Sequence, residues 1–145
     1  MNYDKLLESV KKHEGYKNHV YLDTLGKRTV GVGHLCVEDF WEVGKEYEED
    51  FLMDILKKDL QQAIRQANLK CEGLKISDDA KIIIIEMIFQ LGGTGVSKFR
   101  KMWQALQQDP PDYAEASVQM LDSRWAKQTP NRAKEMARLM SECVV

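Results

Sequence analysis

Apolar positions along this chain follow a helical period near its start, alternate through residues 19–34, and return to a helical period from about residue 50. Leu6, Leu7 and Val10 share one side of a short helix over 3–13, with Asp4 and Glu8 early in it and Gly15 placed to end it. The alternating stretch puts Val20 and Leu22 on one strand and Val30 and Val32 on the next, with Asp23-Thr24-Leu25-Gly26 as the hairpin turn. Over about 50–69, Phe51, Leu52, Ile55, Leu56, Leu60, Ile64 and Ala67 form one stripe of a long amphipathic helix. Ser77 suits the N-cap of a helix over 80–91, apolar nearly all round and therefore a core element, despite the β-propensity of residues 82–85. Residues 92–95, Gly-Gly-Thr-Gly, should stop it; helices over 96–107 and 113–127 follow, and Thr129-Pro130 opens a last one.

These elements predict an α+β fold, mainly α. One domain spans 1–145. A small mixed N-terminal lobe with a β-hairpin (about 14–49) is joined by the long helix (about 50–69) to an all-helical lobe (70–145 with residues 1–13). A ligand is expected where the lobes meet.

Composition narrows the class. With 43% hydrophobic and 30% charged residues and a net charge of −2, nothing global marks a nucleic-acid binder. Eight acids against the single base Lys45 in residues 38–54 read as a solvated face, while residues 96–145 are mildly basic. The longest uninterrupted apolar run, Ile82 to Ile85, is too short to span a bilayer, so no stable membrane insertion is expected. The first residues lack an apolar signal region, which predicts a cytoplasmic location. Cys36, Cys71 and Cys143 have no metal-ligand spacing and read as free thiols in a reducing compartment.

Candidate chemistry gathers in Glu14-Gly15 through His34. Glu14 ends the first helix, where the negative end of the helix dipole suits a group that must carry a proton. Asp23 sits in the turn, and Thr29 returns on the next strand with a hydroxyl able to hold a water against Asp23. Two acids held face to face with a hydroxyl between them suit acid–base cleavage of a glycosidic bond. The plainer reading makes Glu14 a helix-end surface charge and Asp23 an Asx-turn residue. Glycine placement weighs against it: seven of nine glycines fall in 15–33 and 92–95, two places where backbone must approach something closely.

His13-Glu14-Gly15, Tyr21-Leu22-Asp23 and Thr29-Val-Gly-Val-Gly-His34-Leu35 resemble the catalytic segment of the phage-type lysozymes, the glycoside hydrolase family of bacteriophage T4 lysozyme. Phe89-Gln90-Leu-Gly-Gly-Thr-Gly-Val96 and Ser123-Arg124-Trp125 through Asn131-Arg132-Ala133 are similar to two further blocks of that family, in the same order. The resemblance covers almost the whole chain. It implies a lysozyme-like fold and a monomeric muramidase hydrolysing the β-1,4 bond between N-acetylmuramic acid and N-acetylglucosamine in bacterial peptidoglycan, with inversion and without metal or cofactor. Glu14 would be the proton donor, Asp23 the base or electrostatic partner of the water, and Thr29 the residue holding that water. Leu35, Phe89, Gln90, Gln119, Arg124, Asn131 and Arg132 would meet the substrate. Where the family has a serine and an asparagine touching substrate, this chain carries Met102 and Gln119, and Met102 cannot replace a hydroxyl. An endolysin held in the cytoplasm of an infected bacterium until release fits this picture. The rivals are a non-catalytic peptidoglycan-binding protein on the same scaffold, and a lytic transglycosylase; Asp23 and Thr29, as water holders, favour hydrolysis.

Other residues carry readings of their own. His34 reads as a support tying the hairpin to a helix. Trp103 and Trp125, at helical spacing among Leu106 and Leu121, read as core more than as sugar platforms. Arg124 and Arg132 suit either carboxylates of the wall or pairing with Asp122 and Glu135.

Overall fold

A computed structural model describes residues 2–23 and 25–144, so Thr24 of the expected turn lies outside the described residues. The fold is α+β and mainly helical, with two compact units, Asn2–Gln62 and Ala63–Val145. The division falls inside a helix, and residues 2–13 belong with the hairpin rather than with the helices after residue 70.

In the N-terminal unit, Asn2 caps helix α1 (Tyr3–Glu14) by accepting from the Lys5 N–H at 3.1 Å, and Leu6 and Val10 are its buried face. Gly15, at φ 72°, ends the helix, and its N–H donates back to the Lys11 carbonyl at 2.9 Å. The chain passes at once into strand β1 (Lys17–Leu22), which pairs antiparallel with β2 (Arg28–Gly31). The register is irregular between Lys17 and Tyr21, then sets Tyr21 opposite Thr29 and Leu22 opposite Arg28. A third strand, β3 (His34–Leu35), pairs with β2; it is too short to announce itself by alternation and completes the sheet order β1-β2-β3. Val20, Val30, Trp41 and Leu52 form a small core, with Cys36, Tyr47, Met53 and Ile55 packed on it. Trp41 meets Tyr47 edge-on at 4.8 Å between centroids.

Helix α2 (Glu49–Lys70) matches the expected amphipathic helix and runs across the boundary between the units. In the C-terminal unit, Ser77 caps α3 (Asp78–Ser97), accepting from the Ala80 N–H at 3.2 Å. Taken whole, α3 is long and apolar enough to cross a membrane by length and composition, which the uninterrupted run of isoleucines understates. Its residues 82–88 are all buried, and that burial makes it a core helix of this unit. The expected stop at residues 92–95 is a kink instead: only Gly92 leaves helical geometry, at φ 80° and ψ 160°, and the helix resumes through Ser97. Helix α4 (Arg100–Leu106) is shorter than expected. The single helix expected over 113–127 is two, α5 (Tyr113–Leu121) and α6 (Arg124–Gln128). Ser123 separates them in extended geometry, accepting from the Ala126 N–H at 3.2 Å and so capping α6. Helix α7 (Pro130–Ser141) begins with proline in its first turn and is tied to α5 where the buried Ser117 hydroxyl donates to the Ala137 carbonyl at 2.7 Å.

Candidate active site

The hairpin turn is organised around the backbone of one residue, Lys27. The Lys27 N–H donates to Asp23 Oδ1 at 2.8 Å, and its carbonyl accepts from the Asp23 N–H at 2.9 Å and the Thr29 hydroxyl at 3.0 Å. The Leu25 N–H also donates to Asp23 Oδ1, at 2.9 Å. One carboxylate oxygen is therefore pinned, and Oδ2 has no hydrogen-bond partner among the described residues. Thr29 is buried, and because its proton goes to Lys27, its oxygen faces any further partner as an acceptor. The expected pairing of Asp23 with Thr29 is thus built through the Lys27 backbone, a group with no signature in the residue pattern.

Glu14 reaches the same sheet from the end of α1. A side-chain carbon at Gly33 would lie 2.8 Å from Glu14 Oε2 and 3.0 Å from its Cδ, so the carboxylate rests directly on the Gly33 backbone, which has φ 67°. Tyr21 senses both acids. Burial pushes its phenol above the ordinary value, and the charges of Glu14 and then Asp23 raise it further. Lys17 Nζ stands 4.5 Å from the Tyr21 ring centre. Leu35, 44% exposed, pairs across the sheet with Thr29, so it offers apolar surface beside that residue. The N-terminal unit thus brings together Glu14, Asp23, Thr29 and Leu35.

The remaining expected residues belong to the C-terminal unit. Gln90, half-buried on α3, accepts from the Trp125 indole N–H at 2.9 Å and donates to the Thr129 hydroxyl at 3.4 Å. Both ends of its amide are engaged in the fold, and Phe89 stands half-buried beside it. Trp125 is buried, as its spacing suggested, and the Trp103 indole donates to the Val96 carbonyl at 3.0 Å. Asn131 is exposed and Arg132 half-buried in the first turn of α7. Gln119 donates to Glu115 at 2.7 Å, and it lines a cavity of about 720 Å³ with Arg124 and Met102. Arg124 makes no ion pair with Asp122 among the described residues.

The sequence model for phage lysozyme matches residues 11–141. The chain belongs to the phage lysozyme family. It is similar to the Dictyostelium discoideum protein named Probable T4-type lysozyme 2, 26% identical over an alignment of 155 positions that covers 90% of each chain. Peptidoglycan hydrolase gp36 of Pseudomonas phage phiKMV is 27% identical over 129 residues, which are 88% of this chain and 14% of that one. Pre-baseplate central spike protein Gp5 of Enterobacteria phage T4 is 26% identical over an alignment of 160 positions that covers 93% of this chain and 27% of its own length.

As a phage lysozyme, the chain holds its hairpin with a histidine that sequence reasoning read correctly as a support, while missing how it is held. His34, the first residue of β3, donates from Nδ1 to Asp59 on α2 at 2.7 Å and from Nε2 to Glu38 at 2.9 Å. The bond to Asp59 is the main cause that raises its pKa to about 9; burial opposes this and Glu38 assists it. Burial pushes the Glu38 carboxyl up, but the Trp41 indole, donating at 2.7 Å, and His34 bring it below the ordinary value. The spacing of Glu38 four residues after His34 was the available signal; it was lost in an acidic run read as a solvated face.

Proposed function

We propose that this phage lysozyme is a muramidase, cleaving the β-1,4 bond between N-acetylmuramic acid and N-acetylglucosamine in peptidoglycan. Its membership of a lysozyme family and its likeness to a phage peptidoglycan hydrolase support the substrate. The observation that carries the mechanism is the Lys27 backbone, whose N–H and carbonyl join Asp23 to Thr29 and leave Asp23 Oδ2 available, with Tyr21 in the field of both Asp23 and Glu14. Glu14 delivers its proton to the leaving glycosidic oxygen. A water donates one hydrogen bond to Asp23 Oδ2 and one to Thr29 Oγ1, and attacks the anomeric carbon as Asp23 takes its proton. Thr29 therefore acts as an acceptor that orients the water. Leu35 gives apolar contact to a sugar ring near this centre. Gln119, Arg124, Asn131 and Arg132 supply polar contacts from the C-terminal unit, with Phe89 and Gln90 in support.

Mass spectrometry of fragments released from purified peptidoglycan tests this reading. Wild type should yield reducing muramic acid ends, and Glu14→Gln should lower the rate by about 10²–10⁴-fold, the usual contribution of a general acid, with the folded state retained. Anhydro-muramic ends would make the enzyme a transglycosylase. No fragments from folded wild type on several wall types would make it a binding protein.

A further inference from the structure

We infer that the loop before α2 and the first turns of that helix form a docking surface for a basic, amphipathic segment of a partner protein. Two phenylalanines carry the inference. Phe40 is 50% exposed and Phe51 42% exposed, with ring centroids 6.3 Å apart, so they make one apolar surface open to solvent. Both rest on the buried Trp41, whose ring centre lies 4.7 Å from that of Phe40 and 5.9 Å from that of Phe51. That bed is fastened. The Trp41 indole donates to Glu38, and the Tyr47 hydroxyl accepts from the Glu42 N–H at 2.8 Å while its ring packs edge-on against Trp41. Rings held in this way lose little freedom when a partner covers them, as the anchoring aromatics of interfaces do.

Charge selects the partner. Asp39 precedes Phe40, Asp50 precedes Phe51, and Asp54 stands three residues beyond Phe51 on α2, a spacing that sets Cβ atoms about 5–6 Å apart. All three acids are exposed, and none makes an ion pair or side-chain hydrogen bond among the described residues. Lys45, the single base in residues 38–54, is already engaged, 5.4 Å from the Tyr47 ring centre and 4.0 Å from Glu42. Carboxylates alone would be a solvated face; exposed phenylalanines among them are what a solvated face does not need. A nucleic acid, an anionic lipid surface or an anionic wall polymer would meet like charge here. A bare cation would answer the charge and leave both rings in water. A second copy of the chain offers a weaker match, since residues 96–145 carry eight bases against six acids. A segment with arginine or lysine beside aliphatic side chains meets both demands. Its aliphatic groups bury against Phe40 and Phe51, and its cations pair with Asp39, Asp50 and Asp54 or stack on the ring faces. None of these residues belongs to the centre of Glu14, Asp23 and Thr29, so the inference does not depend on hydrolysis there.

Calorimetric titration of the intact chain with a synthetic amphipathic peptide of leucine and arginine tests this, with a leucine–glutamate counterpart, oligo-arginine and phosphatidylglycerol vesicles as controls. The leucine–arginine peptide should fill one saturable site per chain and shift the Trp41 indole N–H resonance. Phe40→Ser and, separately, Asp39→Asn/Asp54→Asn should each weaken it by about tenfold or more while fragment release from peptidoglycan stays at the wild-type rate. If loss of the Phe40 ring unfolds the unit, the charge pair, which touches no packed side chain, carries the test alone. The leucine–glutamate peptide and oligo-arginine should each bind at least about tenfold more weakly than the leucine–arginine peptide. Absence of saturable binding, binding indifferent to the charge pair, or equal binding of either control peptide would overturn the proposal. So would capture by the vesicles, or self-association of the chain that the same variants abolish.

Discussion

At the scale of single residues, Gly33 has the sharpest claim on the site. It adopts φ 67°, where an L side chain is strained, and a Cβ there would stand 2.8 Å from Glu14 Oε2. Gly31 provides an internal control, with φ 62° but with its nearest would-be contact at Leu52 Cβ, 3.4 Å away. Alanine at either position should cost about 1 kcal/mol of stability through backbone strain. Only Gly33→Ala has to displace the Glu14 carboxylate, and a displacement approaching 1 Å at a reacting group lowers rates by about 10²-fold. Comparing melting temperatures and fragment-release rates of the two variants checks this. Similar stability losses should accompany near-normal activity in Gly31→Ala and a large loss in Gly33→Ala. Equal activity in both would separate Glu14 from the reaction, or from the geometry that Gly33 maintains.

At the scale of elements, the His34 bridge binds β3 to α2 and to the loop that carries Glu38. Its imidazole titrates near 9 in the folded chain, against 6.5 for an ordinary histidine. A raised folded pKa means the charged form is favoured by folding. The stabilisation is complete below about pH 6.5 and lost as pH rises through about 9. With its side chain 13% exposed, the bridge contributes on the order of 3 kcal/mol at most. Urea unfolding across pH 5–10 should show wild type losing stability relative to His34→Asn over that window, with the two curves parallel below it. Because the bond to Asp59 is the largest cause of the shift, Asp59→Asn should flatten the profile more than Glu38→Gln. The opposite order would move the main support from the helix to the loop.

The same scale shows what could be read in advance. Helices α1 and α2 and the β1–β2 hairpin were legible because their apolar positions keep one period for their whole length. Strand β3 has two residues and no period to show. The break between α5 and α6 turns on one capping hydroxyl at Ser123, competing with a helical pattern that continues through it. In the site, side chains were legible and backbone was not. Glu14, Asp23 and Thr29 announce themselves, while the Lys27 backbone that joins two of them and the Gly33 backbone under the third are fixed only by the folded register. The two glycine groups did mark close approaches: Glu14 rests on Gly33, and Gln66 lies against Gly93.

At the scale of the whole chain, the important fact is that the boundary between the two units falls within α2. Upstream, Leu52 belongs to the core of Val20, Val30 and Trp41. Downstream, Gln66 lies where a Cβ on Gly93 would strike it, and Lys70 Nζ donates to the Ser97 hydroxyl. Each unit thus orders part of one 22-residue helix, and a helix half this long is marginal without its remaining turns. Such sharing should make the units unfold together. Ala63, the first residue beyond the boundary, is buried in the helix, and Ala63→Pro would remove a backbone hydrogen bond and clash with the preceding turn, at a cost of about 3 kcal/mol or more. Trp41 reports on the first unit and Trp103 and Trp125 on the second, so tryptophan indole resonances can follow both through one urea titration. In wild type the transitions should coincide. In Ala63→Pro they should separate, the lower midpoint identifying the unit that relies more on the shared helix. Transitions that still coincide in the proline variant would mean that the units are coupled by something other than α2.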